Sequence, residues 1–342
     1  MADFHLLITD WYRQNSRDLP WRQTNDPYRI WLSEIILQQT RVDQGMSYYH
    51  KFIEAFPSIQ ELAAADEEQI LRLWQGLGYY SRARNLHAAA KDMCEKHNGY
   101  FPENYQEIRA LKGIGDYTAA AIASFAFNEP FAVVDGNVYR LLSRYFDINV
   151  PIDSSKGKSL FQSLAQELLH PKAAAIHNQA VMEIGALVCK PKQPDCSNCP
   201  LNHSCLALER DTVASRPVKQ KRTTVRERYF YFLVFEENER TVIERRSSKD
   251  IWQHLYQFPL VETNEIMDLD EVKQLTQHAP SQISEEYVHL LSHQRIRARF
   301  LHFDRMPESL TSGWKVIGRP ELSEYPLPRL IDRYLESTRA TV

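Results

Sequence analysis

A chain of 342 residues is long enough for two domains, each with its own core. Its 43% hydrophobic and 25% charged residues are those of an ordinary globular protein, and a formal net charge of −3 gives no bulk attraction to nucleic acid. Any DNA-binding function must therefore rest on local basic surface and backbone amides. No apolar run reaches membrane-span length and MADFHLLITDWYRQN lacks a secretory apolar core, so a cytoplasmic protein without membrane contact is expected. Four of the five cysteines crowd into one short segment, which points to metal ligation rather than disulfides.

The first 25 residues offer an amphipathic helix with Phe4, Leu7, Ile8, Trp11 and Tyr12 on its apolar face, followed by Asp18-Leu19-Pro20-Trp21-Arg22. Arg22, beside an aromatic, either touches a phosphate or base or packs as a surface arginine. Asp26-Pro27 is a cap and first-turn pair, and the helix it starts contains Trp31 to Arg41 (WLSEIILQQTR). Glu34 is its anomaly. Trp31 and Leu37, three residues to either side, share its face, so its carboxyl lies among apolar groups. Desolvation raises a carboxyl pKa, and a Glu protonated near neutral pH is a ready general acid. The alternative is an edge residue reaching water.

Residues 43–100 read as short helices broken at Phe56-Pro57 and at Gly76-x-Gly78. The run Trp74 to Asn85 (WQGLGYYSRARN) mixes glycines, aromatics and arginines. That composition suits a wedge that fills a base stack while arginines hold phosphates, or equally a helix turn packed by two tyrosines. Leu111-Lys112-Gly113-Ile114-Gly115 is a turn in which glycines allow close backbone approach to a ligand. Asp116 is placed to cap a helix from Tyr117 towards Phe125, and amides of such a turn suit a phosphate. Asp135 then falls at the N-cap of a second helix, Val138 to Arg144, whose positive end favours an ionised carboxylate.

Residues 151–188 are patterned as helix, and cysteines follow at once: Cys189, Cys196, Cys199 and Cys205, spaced C-x6-C-x2-C-x5-C. Structural zinc sites usually show two C-x-x-C knuckles, whereas one compact string with a single C-x-x-C better suits a cuboidal iron–sulfur cluster. Lys190 and Lys192 lie between the first two, where they could meet a DNA backbone. Residues 211–228 read as a linker between a helical domain, 1–210, and a β-rich domain, 229–342. Its basic residues Arg216, Lys219, Lys221, Arg222, Arg226 and Arg228 suit either a solvated linker or DNA contact. Tyr229 to Phe235 and Thr241 to Arg245 read as a hairpin, and Arg297 to Phe303 as a further strand.

These motifs carry a resemblance that spans nearly the whole chain. L-x-G-I-G, a helix, then V-D-G-N-V-x-R resembles the helix–hairpin–helix DNA glycosylase superfamily, and LSEIILQQTRV closely resembles the catalytic helix of adenine DNA glycosylases of the MutY family. The cysteine spacing is that of the endonuclease III and MutY families, and the C-terminal part resembles the Nudix-like domain of MutY proteins. The resemblance implies an all-α helix–hairpin–helix glycosylase core with an iron–sulfur cluster loop, followed by an α+β Nudix-like domain. It implies Glu34 as catalytic acid, Asp135 as stabiliser of the sugar cation, and Tyr117 and Asn137 as residues positioning them. It implies a 4Fe–4S cluster on Cys189, Cys196, Cys199 and Cys205.

The resemblance implies adenine-pocket or base-stack roles for Leu37 and Gln39, a wedge role for Tyr79 (GLGYYxRARNL), and lesion reading for Ser292 and His293; DNA contact by Arg22, Gly113 and Gly115 is expected from the residues themselves. The expected partner is double-stranded DNA with adenine opposite 8-oxoguanine or guanine, bound by a monomer that excises adenine without cutting the strand. Two positions depart from the family pattern: Lys112 stands where proline is common, and Leu291 where phenylalanine precedes Ser-His. A bifunctional glycosylase/lyase of the endonuclease III type would carry lysine where this chain has Tyr117, and would lack the second domain. A non-catalytic iron–sulfur DNA-binding protein would have no reason to carry both Glu34 and Asp135. A working Nudix hydrolase needs a glycine-anchored helix, and no glycine occurs between Gly185 and Gly313.

Overall fold

The computed structural model describes residues 2–220, 225–268, 270–271, 274 and 279–339. They fall into two compact units, Met1–Ala64 with Asn85–Lys221, and Ala65–Arg84 with Arg222–Val342. Residues 65–84, inside the range read as the helical domain, thus belong with the second unit.

The first unit is helical: α1 (Ala2–Asn15), α2 (Pro27–Leu37), α3 (Val42–Ala55), α4 (Ile59–Ala64), α6 (Ser81–Lys96, entering from the other unit), α7 (Tyr105–Ala110), α8 (Asp116–Phe127), α9 (Gly136–Tyr145), α10 (Ser155–Leu168), α11 (Ala174–Leu187) and α12 (Leu206–Glu209). Phe4 and Ile8 of α1, Val138 and Leu142 of α9, Phe161 of α10 and Ile184 of α11 share one core. Leu7, expected on the apolar face of α1, is exposed instead. The face turned towards α11 runs through Phe4, His5, Ile8 and Tyr12 and leaves Leu7 outside it.

α7, the turn at 111–115 and α8 form the helix–hairpin–helix. Ile114 N–H donates to Leu111 O at 3.2 Å, and Gly113 sits at φ +81°, where an added Cβ would come within 2.6 Å of Asn85. Glycine there is required twice over, by backbone and by space. Asp116, expected as the cap of α8, is not one: Gly115 is the N-cap, and Asp116 begins the helix and pairs with Arg109. Arg109 also donates to Ile114 O at 2.9 Å, so the turn is braced by this ion pair. The small residues Ala119 to Ala121 and Ala123 are buried and let α8 pack closely on α2, α7 and α11.

The second unit is built on a mixed sheet with β1 (Arg226–Glu237), β2 (Arg240–Arg245), β3 (Tyr256–Gln257), β4 (Leu260–Thr263), β5 (Gln282–Ile283), β6 (Tyr287–Leu290), β7 (Gln294–Phe303) and β8 (Trp314–Gly318). The expected hairpin is present, with Glu237 opposite Arg240 across Asn238-Glu239, both at positive φ as a type I′ turn requires. β1 runs parallel to β7 over ten residues, and β6 returns antiparallel to β7. The helices α5 (Glu67–Leu73) and α13 (Arg329–Arg339) belong to this unit, and the Tyr334 ring of α13 stacks on Phe300 of β7 at 3.7 Å.

In the expected linker, Lys221 and Arg222 lie outside the described residues. Two of its arginines are already engaged in ion pairs. Arg216 pairs with Asp147, and Arg228 is buried against Asp250 and Glu262.

Candidate active site

A cleft in the helical unit, about 760 Å³, is lined by α2, the hairpin, α8, the start of α9 and α11. That lies within the range of small-molecule sites, roughly 300–1,000 Å³. α2 begins where the Asp26 side chain accepts from Tyr28 N–H at 2.9 Å. It buries Trp31, Leu32, Ile35 and Ile36 and turns Glu34 into the cleft. Tyr117, in the first turn of α8, donates its hydroxyl to Glu34 Oε2 at 3.0 Å. Burial pushes the Glu34 carboxyl up to about 7; the Tyr117 hydrogen bond works against this and the charge of Asp135 with it. The cleft thus gives Glu34 a desolvated setting that raises its carboxyl towards neutrality, the condition expected from the sequence for a general acid.

Asp135 caps α9, as expected. Its Oδ1 accepts from Asn137 N–H at 2.9 Å and Val138 N–H at 2.8 Å, and its Oδ2 accepts from Asn137 Nδ2 at 2.7 Å. The helix end expected to favour its ionised form is opposed by burial. Burial is the largest influence and raises its pKa, while the hydrogen bonds from Val138 and Asn137 oppose it. The Asn137 amide is itself fixed, because Arg140 donates to its Oδ1 at 2.8 Å. The same arginine reaches Gly185 O and Cys189 O, which ties the cap of α9 to the first cysteine. Gly185 permits this approach of α11, since a Cβ there would lie 2.7 Å from Asn137 Cβ and 2.8 Å from its carbonyl.

Glu183, Arg17 and Arg140 were not singled out from the sequence. Glu183 is fully buried at the cleft wall and accepts from both Arg17 and Arg22. Burial would raise its carboxyl, but these hydrogen bonds prevail and hold it at about 2. The signal was an acid between Met182 and Ile184, the same anomaly that marked Glu34. Arg22 therefore lines the cleft with its guanidinium held by Glu183. Leu37 and Gln39 also line it, and Gln39 is exposed at φ +57°, a costly conformation for a residue with a side chain. Gly113 and Gly115 form part of the rim.

In the second unit, Tyr79 is exposed at φ +49° and its hydroxyl meets that of Ser292. Ser292 and His293 form the tip of the β6–β7 hairpin, closed by Leu291 N–H donating to Gln294 O at 2.8 Å. Leu291 is half-buried at its base.

Cys189, Cys196, Cys199 and Cys205 line one pocket together with Arg144 and Leu201. Arg144 Nη1 donates to Cys189 Sγ at 3.3 Å, and burial pushes the Cys199 thiol up to about 11. Thiolates here need a cationic centre, and a donor set of four cysteines fits an iron–sulfur cluster. Among the described residues no group of three or more His, Cys, Asp or Glu is placed to hold a single metal ion. None of the described helices is long and apolar enough to cross a membrane.

Residues 32–171 match the HhH-GPD superfamily of base excision DNA repair proteins, and residues 230–337 match the NUDIX domain. The adenine DNA glycosylase of Buchnera aphidicola from Baizongia pistaciae is 37% identical over 297 residues, covering 85% of this chain and 83% of its own. The Homo sapiens adenine DNA glycosylase is 41% identical over 216 residues, 60% of this chain and 40% of that one. Among solved structures, a thermostable thymine-DNA glycosylase aligns with a TM-score of 0.57 at 29% identity, over 61% of this chain and 96% of its own. An endonuclease III–DNA complex aligns at 0.53 and 20% identity, over 61% and 97%, which shows a shared fold. By its sequence relatives and by its two matched domains, this chain belongs to the adenine DNA glycosylase family.

Proposed function

We propose that the protein is a monofunctional DNA glycosylase that hydrolyses the N-glycosidic bond of adenine mispaired with 8-oxoguanine or guanine. The observation that carries this reading is the convergence in one cleft of Glu34, held by Tyr117, with Asp135, held by Asn137. The reaction needs the adenine outside the stack, and Tyr79 is the aromatic assigned to support the gap. Protonated Glu34 gives its proton to N7 of the base, and the bond between C1′ and N9 breaks. The Asp135 carboxylate stabilises the sugar cation left behind, by the logic of a retaining glycosidase. Water then adds to C1′ and its proton returns to Glu34, which regenerates the acid.

Tyr117 offers no amine for a Schiff base, which favours hydrolysis over strand cleavage. Ser292 and His293 are assigned to the 8-oxoguanine edge, with hydroxyl and ring nitrogens able to donate and accept. The four cysteines would hold a 4Fe–4S cluster, which when bound supplies a rigid anchor for the ligand loop. Incubating the protein with adenine opposite 8-oxoguanine, guanine or thymine, then measuring free adenine and alkali-labile sites, tests the reading. Borohydride trapping of a protein–DNA adduct in good yield would favour the lyase instead.

A further inference from the structure

The tip that carries Ser292 and His293 has both of its strands held from below. Gln294, the first residue of β7 after the tip, accepts from Arg228 Nη1 at 2.9 Å. Arg228 lies on β1, and its side chain is 5% exposed. It donates through every nitrogen: to Glu262 from Nε at 2.7 Å and Nη2 at 2.6 Å, and to Asp250 from Nη1 at 3.0 Å and Nη2 at 2.6 Å. A guanidinium so fully engaged is stiff, because moving it leaves its own buried charge unpaired. Two residues earlier on β1, Arg226 N–H donates to His293 O at 3.0 Å. The strand thus fixes a backbone atom of the tip and the side chain beside it.

The second hold reaches β6. Residues 246–255 form a bracket in which Arg246 donates to Ile251 O, Gln257 and Asp250. Within it Trp252 is buried and at φ +58°, and His254 is at φ +69°. Side chains in that region are strained, which the surroundings must offset. The Trp252 ring packs edge-on against His289 of β6, with centroids 5.6 Å apart, and against Phe230 of β1 at 6.0 Å. Asp250 belongs to the same bracket as Trp252, so one loop braces both strands of the hairpin.

We propose that Arg228, Gln294 and the bracket carrying Asp250 and Trp252 are positioning residues for lesion discrimination, holding the Ser292–His293 tip in the register that reads the base edge. This rests on the assignment of that tip as the reader. A core network of purely structural value would change stability without changing which duplex is preferred.

The test compares single-turnover excision on 8-oxoguanine:adenine and guanine:adenine duplexes for the full-length protein and for Gln294→Met, Gln294→Glu, Asp250→Asn and the double variant Ser292→Ala, His293→Ala. Melting temperatures establish that each is folded. Gln294→Met and Asp250→Asn should lower the preference for 8-oxoguanine about tenfold, the size of one base-edge contact, with the guanine:adenine rate little changed. Gln294→Glu, which keeps an acceptor for Arg228, should restore it. If the tip variant lowers the preference and folded Gln294→Met and Asp250→Asn do not, the positioning role is overturned while the reading tip stands. If the tip variant leaves the preference unchanged, the reader lies elsewhere and both fall.

Discussion

The hydroxyl of Tyr117 donates to Glu34 Oε2 at 3.0 Å, from a helix start that also forms one arm of the helix–hairpin–helix. The bond favours the ionised carboxyl, while burial favours the protonated one and prevails, leaving Glu34 titrating at about 7. Removing it with Tyr117→Phe should move the Glu34 pKa upward. Excision needs the proton, so the wild-type single-turnover rate should fall as pH rises through about 7. In the variant that fall should come at higher pH. A fall at unchanged pH would dissociate the titration from Glu34.

Glu34→Gln should bind the mispaired duplex and lose excision, since an amide cannot deliver the proton; general acid catalysis contributes roughly 10²–10⁴-fold. The same change should stabilise the protein at alkaline pH. The folded-state pKa of Glu34 is raised, so its relative stability is intact below about 4.5 and is lost as pH rises through about 7. The gain in the variant is on the order of 1–3 kcal/mol above pH 7 and small at pH 5. Thermal melts at both pH values read it directly. Equal melting shifts at the two would contradict the burial of an acid at this position.

Gly185→Ala places a methyl group against Asn137, 2.7 Å from its Cβ, so α9 or α11 must give way. Overpacking of this kind costs about 1–3 kcal/mol. Because Asn137 holds Asp135, the excision rate should fall more than binding does. A variant with lowered stability and an unchanged chemical rate would show that the cap tolerates the shift.

Cys199→Ser should bleach the brown colour expected of the proposed iron–sulfur cluster and weaken DNA binding, because the ligand loop loses its anchor. Iron and sulfide analysis checks it, and zinc without iron in the wild-type protein would refute the cluster.

Much of this was legible because local chemistry and tertiary structure agree. Asp135 before Gly-Asn-Val reads as a cap and is one, and Glu34 stands out because an acid interrupts an apolar helix face. What stayed hidden depends on long-range partners. Nothing local says that Arg22 and Arg17 converge on Glu183, more than 160 residues away, or that Arg228 is buried rather than solvated in a linker. Asp116 misled for a subtler reason. Gly115 and Asp116 both suit a helix start, and the pairing of Asp116 with Arg109 leaves the cap position to the glycine.

The most direct measurement is adenine release from a duplex carrying adenine opposite 8-oxoguanine, set beside a thymine:adenine duplex of the same sequence, by wild-type protein and Glu34→Gln. Free adenine and an intact but alkali-labile strand are expected from the mispair alone, and none with the variant. Release that survives Glu34→Gln, or strand cleavage without alkali, would contradict the proposed function.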